Sequence, residues 1–287
     1  MIHPALPQTA AAVAAHYDEL DPFYREVWGE HVHHGYWRTG RETPEAAMEA
    51  LVDLVAERLE LQAGQRVCDI GCGYGATAQR LAERHAVDVT GVTISTAQAA
   101  RGKGRVPARG SLAIMARDWL ASGFPDASFD RAYAIESSEH MEDKQRFFTE
   151  AFRTLKPGGR LAVCAWLARD QPKPWEVRWL LEPICREGRL PSMGDEGDYR
   201  RLAEAAGFET LSVEDISAQV SKTWSICARR LAANVATRPR YARFLLDRAN
   251  PNRIFALTLL RLLLAYRTGS MRYGLLVFAR PTGRPWR

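Results

Sequence analysis

The stretch Arg66–Ser95, RVCDIGCGYGATAQRLAERHAVDVTGVTIS, limits the fold more than any other part of the chain. Val67–Ile70 is a short apolar run that suits a buried strand. Gly71, Gly73 and Gly75 follow at alternate positions and make a loop. Ala76–Arg84 has helical spacing, and Val87–Ile94 is a second strand. Strand, glycine loop, helix and strand in this order open a parallel α/β sheet. Further strands are expected at Leu112–Ala116, Arg131–Ile135, Arg160–Trp166 and Arg272–Ala279. Helices are expected at Lys144–Leu155, Tyr199–Ala206 (closed by Gly207) and Ile254–Tyr266. The K-P-G-G run at Lys156–Gly159 reads as a turn. Upstream, Thr9–Glu19 is Ala-rich and helical, whereas Asp21–Arg41 has no helical or strand period and reads as an ordered loop or broken helix. Thr43 offers an N-cap, with Pro44 at the first helical position. Ala47, Leu51, Leu54, Val55 and Leu59 form its apolar face, and Gly64 is expected to end that helix.

Glycines after a strand let the chain turn tightly and let a ligand approach the backbone. The helix that follows presents free N–H groups and a positive dipole end, which suit a carboxylate or phosphate. Open α/β sheets bind nucleotide-type ligands at this end of the first strand. A dinucleotide site wants G-x-G-x-x-G and an acid ending the second strand. Here the third glycine comes one residue early, and the second strand ends Val92-Thr93-Ile94-Ser95 with no acid. Both features argue against NAD.

The 287 residues suffice for one large domain or one domain with a cap. The most apolar stretch, Ile254–Tyr266, is interrupted by Arg261 and is too short to span a bilayer. The N-terminus lacks a basic region ahead of an apolar one, so a cytosolic protein is expected. Cys68, Cys72, Cys164, Cys185 and Cys227 are scattered without a C-x-x-C pair, which suggests neither zinc nor a disulfide framework. The net charge of +5 is uneven. Arg229–Arg287 holds thirteen Arg, no Lys and one acid, Asp247, a net +12 that leaves −7 on residues 1–228. Such a basic region suits a solvated face, an anionic substrate, an acidic membrane surface or nucleic acid. No N-P-P-Y/F base-flipping motif or added RNA-binding module accompanies it, which argues against nucleic acid.

D-I-G-C-G-Y-G at Asp69–Gly75 resembles motif I of the class I S-adenosylmethionine-dependent methyltransferases. HVHHGYW (His31–Trp37), VTISTAQ (Val92–Gln98), ARDW (Ala116–Trp119), FPDASFD (Phe124–Asp130), ESSEHMEDK (Glu136–Lys144) and LKPGG (Leu155–Gly159) follow the order of the γ-tocopherol C-methyltransferase branch. Sterol, mycolic-acid, indole-alkaloid N- and prenyl diphosphate C-methyltransferases share this layout. The resemblance runs from about Tyr17 to Gly274, and RTGSMRYG at Arg267–Gly274 also resembles the end of that branch. It implies an α/β, Rossmann-like, mostly parallel seven-stranded sheet flanked by helices. Residues 1–43 would be an N-terminal helical flap and 44–170 the cofactor-binding core. Residues 171–268 would be a mainly helical substrate lid, and 269–287 the last core strand and basic tail.

The resemblance also implies S-adenosyl-L-methionine as cofactor and assigns roles. Gly71, Gly73 and Gly75 would cradle its methionine part, and Asp69 would orient the loop and the amino group. Thr93 and Gln98 would hold the ribose, which accounts for the missing acid. Asp118 would accept from the adenine amino group, with Trp119 near the ring. Ile135 and Glu136 would line the sulfonium. Glu139 and His140, just beyond a strand end, suit a base or an orienting group. Tyr36 would face the sulfonium from the flap, with Tyr17 a further candidate. The H-x-H-H of His31, His33 and His34 lacks partner ligands, so no metal is expected. Trp175, Trp179, Trp224, Phe244, Phe255 and Tyr266 suit an apolar acceptor, or form the lid's own core. The resulting expectation is methylation of a hydrophobic small molecule, carbon being the leading target because Glu139 could discharge a proton or cation. Oxygen or nitrogen transfer and a cyclase-type reaction are the alternatives. The Arg-rich C-terminal region leaves a diphosphate or a peripheral membrane contact open, and oligomeric state is not readable.

Overall fold

The computed structural model describes residues 1–28, 31–247, 250 and 254–283, without the side chains of 21–25, 27, 255 and 256. Seven strands form one sheet in the order β3-β2-β1-β4-β5-β7-β6. They are β1 (Arg66–Ile70), β2 (Asp88–Thr93), β3 (Ser111–Ala116), β4 (Phe129–Ile135), β5 (Leu155–Ala168), β6 (Glu209–Asp215) and β7 (Met271–Ala279). β1 to β5 pair in parallel, and β7 runs antiparallel between β5 and β6. Around the sheet lie α1 (Ala10–Val27), α2 (Pro44–Leu59), α3 (Ala76–His85), α4 (Thr96–Gly102) and α5 (Lys144–Thr154). After β5 come α6 (Pro174–Glu176), a π-helical turn (Val177–Leu181), α7 (Glu182–Glu187) and α8 (Glu196–Ala205). After β6 come α9 (Ser217–Val220), α10 (Lys222–Thr237), α11 (Pro239–Leu246) and α12 (Phe255–Thr268).

Both sheet faces are covered, as side-chain alternation along β5 shows. Leu161, Val163, Ala165 and Leu167 face one apolar cluster with Phe147, Phe148 and Phe152 of α5 and Tyr199 of α8. Ala162 and Cys164 face the other, with Leu51, Val55 and Leu59 of α2 and Leu81 of α3. Each fully buried apolar side chain contributes about 1.5–3 kcal/mol, so the two layers fix the sheet firmly. A third cluster, with Leu181, Ile184, Trp224, Leu259 and Leu262, joins the π-helical turn, α7, α10 and α12.

Several local expectations need correction. α1 continues to Val27 through the start of the segment read as aperiodic. Its buried positions Val13, His16 and Leu20 do recur at helical spacing, but His16 disguises the face as polar. α2 ends not at Gly64 but at Glu60, which takes the left-handed conformation and donates its N–H to Ala56 O and Glu57 O. The K-P-G-G run is part of β5, opposite a register shift in β4. β6 was not anticipated, because this edge strand is mostly half-exposed and its alternation is weak. It returns to the sheet from within the 171–268 span, so that span is not helical throughout. The five cysteines are free and buried.

Candidate active site

The strand order reverses between β1 and β4, and a cleft opens at the carboxyl ends of the strands there. Its cavity is about 100 Å³, lined by Gly71, Gly73, Thr93, Asp118, Ile135 and His140 from the sheet side, with Val13, Tyr17 and Val32 opposite. Behind the Gly71–Gly73 turn lies a smaller pocket of about 50 Å³, where Asp69 and Tyr133 meet His31, His33 and Thr77.

The glycine loop is built for close approach. Gly71 has φ +86°, and a Cβ there would sit 2.2 Å from Ser137 Cβ. Its N–H and that of Cys72 both donate to Val92 O at 2.9 Å, which ties the loop to β2. Gly73 has φ +52°, and nothing lies within 4 Å of where its Cβ would point. Gly75 does something else: it opens α3 at φ +76°, packed so closely on Ile114 that a Cβ would lie 2.3 Å from Ile114 Cδ1. It lines neither cavity as described.

Asp69 is 3% exposed, and its Oδ2 has no hydrogen-bond partner. Burial pushes its carboxyl up to about 7, and the Tyr133 hydroxyl beside it opposes this without a well-formed hydrogen bond. Sequence reasoning missed Tyr133, although the register Asp69↔Tyr133 between β1 and β4 places the two side by side. A buried carboxylate oxygen and a phenol, both without partners, fit a bound ammonium such as the one carried by S-adenosylmethionine. The open side of Gly73 fits the same ligand.

Thr93 Oγ1 donates to Gln98 Oε1 at 2.8 Å, so the two candidate ribose residues hold each other at the cleft edge. Ser95 caps α4 and also donates through Oγ to Asp18 of α1, a contact missed in the sequence. Asp118 is exposed at the mouth and caps the turn Trp119–Ala121 by accepting from Leu120 N. Trp119 is 1% exposed and its indole N–H donates to Phe147 O, and it also lines the cleft beside Asp118.

The segment His31–His34 packs against the sheet through buried imidazoles. Glu136, at φ +52°, accepts from His34 N (2.6 Å), His34 Nδ1 (2.9 Å) and Tyr273 OH (2.8 Å) on Oε1, and from Trp166 Nε1 (3.0 Å) on Oε2. Burial alone would raise this carboxyl, but the His34 and His33 imidazoles and the hydrogen bonds hold it down at about 2. Glu136 is therefore the hub of the flap joint as well as a cleft wall. Trp224 and Tyr266, candidate acceptor contacts, instead box in His34 with Trp166 and Tyr273. Trp175 and Trp179 are exposed, and the Phe255 side chain lies outside the described residues.

His33 Nδ1 donates to His34 O at 2.8 Å, so its Nε2 accepts from Thr77 Oγ1 (3.3 Å), which in turn accepts from His31 Nδ1 (3.2 Å). Burial pulls His31 down to about 3 and lowers His33 as well. An undocked imidazole takes up a proton near pH 6.5, and the docked one resists. Each pH unit below 6.5 therefore costs the docked flap up to about 1.4 kcal/mol per imidazole. Relative to the intrinsic base-catalysed rate, amide protection at residues 31–36 is expected to fall between pH 7 and 5 and to be unchanged between pH 7 and 8.

The three candidate catalytic residues separate. Tyr36 lines neither cavity. Its N–H donates to Ala47 O and its ring packs at the edge of the α2 cluster, because the chain has already turned away from the sheet after His34. Glu139 also lines neither cavity. It lies in the turn Ser138–His140 with its carboxylate aimed inward, Oε1 accepting from Trp166 N at 2.7 Å and Oε2 from Ser138 Oγ. Burial raises it to about 7. His140, one residue on, does face the cleft. Its Nδ1 donates to Arg189 O (3.3 Å), which leaves the Nε2 lone pair to accept from Tyr17 OH (2.9 Å). Burial lowers His140 to about 4, so the ring is neutral at pH 7.

Comparison with known proteins places this geometry. The family profile of mycolic acid cyclopropane synthetase matches residues 5–243. The 27-O-demethylrifamycin SV methyltransferase of Amycolatopsis mediterranei is 35% identical over 218 residues, covering 75% of this chain and 79% of that one. A probable tocopherol O-methyltransferase of Oryza sativa is 32% identical over 236 residues, 76% of this chain and 65% of the rice protein. The crystal structure of the (4+2)-cyclase SpnF superposes with a TM-score of 0.79 at 29% identity, covering 99% of this chain and 100% of that one. This chain belongs to the mycolic acid cyclopropane synthetase family of S-adenosylmethionine-dependent methyltransferases.

Proposed function

We propose that this enzyme methylates a hydroxyl group on an apolar small molecule, with His140 accepting the proton. The observation that carries this reading is the place of His140 in the cleft wall, with Nδ1 on Arg189 O and Nε2 meeting the hydroxyl of Tyr17, which lines the same cleft. The carbon-directed reading rests on Glu139, and a carboxyl spent on the Trp166 N–H supports it less. When bound, S-adenosylmethionine supplies an electrophilic methyl group together with its own leaving group. The protein's part is alignment and removal of one proton.

In this reading Gly71 and Gly73 form the cradle, Asp69 with Tyr133 takes the ammonium, Thr93 with Gln98 the ribose, and Asp118 the adenine amino group. The acceptor hydroxyl replaces the Tyr17 hydroxyl at Nε2. As its proton arrives, Nδ1–H keeps its bond to Arg189 O and steadies the ring. Residues 1–43 act as the flap that excludes water, 44–170 as the cofactor core, and the helices within 171–268 as the cap. A diphosphate acceptor is less favoured. Arg230 pairs with Glu45, Arg238 and Arg240 with Glu26, and Arg261 with Glu187, so these arginines are already engaged. Specialised metabolism is the fitting setting.

The test uses S-adenosylmethionine carrying a labelled methyl group and a panel of prenylated phenols, polyketide alcohols, indole alkaloids and prenyl diphosphates. Magnetic resonance of the product locates the label. Label on oxygen is expected; label on carbon would return Glu139 to consideration and set the His140 role aside.

A further inference from the structure

We propose that the outward face of α12 docks this enzyme on an anionic phospholipid bilayer. The inward face of α12 is accounted for: Leu259, Leu262 and Ala265 are at most 2% exposed in the cap core. The outward face is not. Leu257, Leu260 and Leu264 are 53%, 57% and 52% exposed, and their spacing of three and four residues sets them in one stripe. Of the eleven large hydrophobic residues exposed among the described residues, seven lie on or beside the cap helices: these three with Ile254, Leu246, Trp175 and Trp179. Monomeric soluble proteins rarely leave such a concentration of apolar surface open without a partner.

Charge identifies the occupant. α12 contains no acidic residue, and Arg267 is exposed three positions after Leu264. Arg229 and Arg243 are exposed on α10 and α11, and the π turn that packs on α12 exposes Arg178, stacked 4.9 Å over Trp179. From Arg229 onward the sequence holds thirteen arginines and one aspartate. An apolar stripe with a basic rim and a tryptophan nearby is the pattern of a helix lying in a lipid interface, and arginine adds attraction to anionic headgroups. The same rim disfavours a second copy of this chain, because a two-fold contact would place like charges together. No helix among the described residues is long and apolar enough to cross a membrane, so the contact is peripheral. An acceptor dissolved in the bilayer would then be delivered at the cap.

The test is co-sedimentation of the full chain with vesicles of phosphatidylcholine, with and without phosphatidylglycerol, at low and high salt. Binding to the phosphatidylglycerol vesicles is expected, weakening with salt. The triple variant Leu257→Gln, Leu260→Gln, Leu264→Gln is expected to bind roughly tenfold more weakly or worse. Unchanged thermal unfolding and cofactor binding would show that the variant is folded. Absence of binding, or equal binding by the variant, overturns the proposal. So does a wild-type dimer that the variant dissolves without any vesicle binding, which would assign the stripe to a second copy. The assay needs no acceptor, so its outcome is independent of the reaction proposed above.

Discussion

Replacing His140 by alanine is expected to slow methyl transfer by about 10²–10⁴-fold while leaving cofactor affinity within a few-fold. The imidazole touches the cleft through Nε2 and the scaffold through Nδ1, so its loss removes the proton acceptor and little of the cofactor wall. The low pKa, set by burial, fixes the pH dependence. The ring is the active neutral form above about pH 4, so the limb of kcat/KM due to His140 should be flat from pH 8 to pH 5 and fall only below. In His140→Ala that acid limb should vanish. Tyr17→Phe removes only the hydroxyl that the acceptor displaces from Nε2, so kcat should change little and KM for the acceptor should stay the same or fall. If His140→Ala transferred methyl at the wild-type rate, the ring would be a structural bridge between the flap and Arg189. Glu139→Gln provides the contrast: this buried carboxyl lies outside the cleft, so only a few-fold change in rate is expected.

The second large effect concerns Asp69. Its pKa, raised by burial to about 7, means that the ligand-free protein is about half protonated there at pH 7 and fully so only well below it. A cationic ammonium favours the charged carboxylate, so cofactor binding below pH 7 should release up to one proton, and affinity should rise as pH rises through 7. Asp69→Asn is expected to weaken cofactor binding roughly 10- to 100-fold, the worth of a hydrogen bond to a charged group, and to abolish the proton release. Calorimetry in two buffers of different ionisation enthalpy measures both. The stability effect has the opposite sign. A carboxyl with a raised folded pKa favours the fold fully below its unfolded value near 4, and that contribution is lost as pH rises through 7. The ligand-free Asn variant should therefore be more stable than wild type at pH 8, by about 1–3 kcal/mol. A variant that was less stable and bound normally would show Asp69 to be purely structural.

The sequence made the sheet legible because glycine loop, strand and helix alternate within short local windows. Asp69, Gly71, Gly73, Thr93, Gln98, Asp118 and Ile135 sit on or just past strand ends, and parallel strands bring those ends together. What stayed hidden depended on direction rather than position. Within Ser138–His140 a single residue decides which side chain enters the cleft, and the left-handed Glu136 just ahead of that turn resets the chain. No pattern of residue types reveals that Glu139 turns inward and His140 outward. Tyr36 lies apart from the cleft for a similar reason: its place in the H-H-G-Y-W run says nothing of which way the ring points. The Tyr17–His140 contact joins residues 123 apart, so only packing could reveal it. Trp224 and Tyr266 looked like acceptor contacts because an apolar core and an apolar pocket share one composition.

The central claim is that this site performs methyl transfer, although a close relative in structure, SpnF, is described as a cyclase. The most direct measurement follows acceptor and cofactor together by mass spectrometry in one incubation. Methyl transfer predicts a product heavier by one methyl group in place of hydrogen, with S-adenosylhomocysteine formed one for one. An acceptor converted to an isomer of unchanged mass, with S-adenosylmethionine left intact, would contradict it.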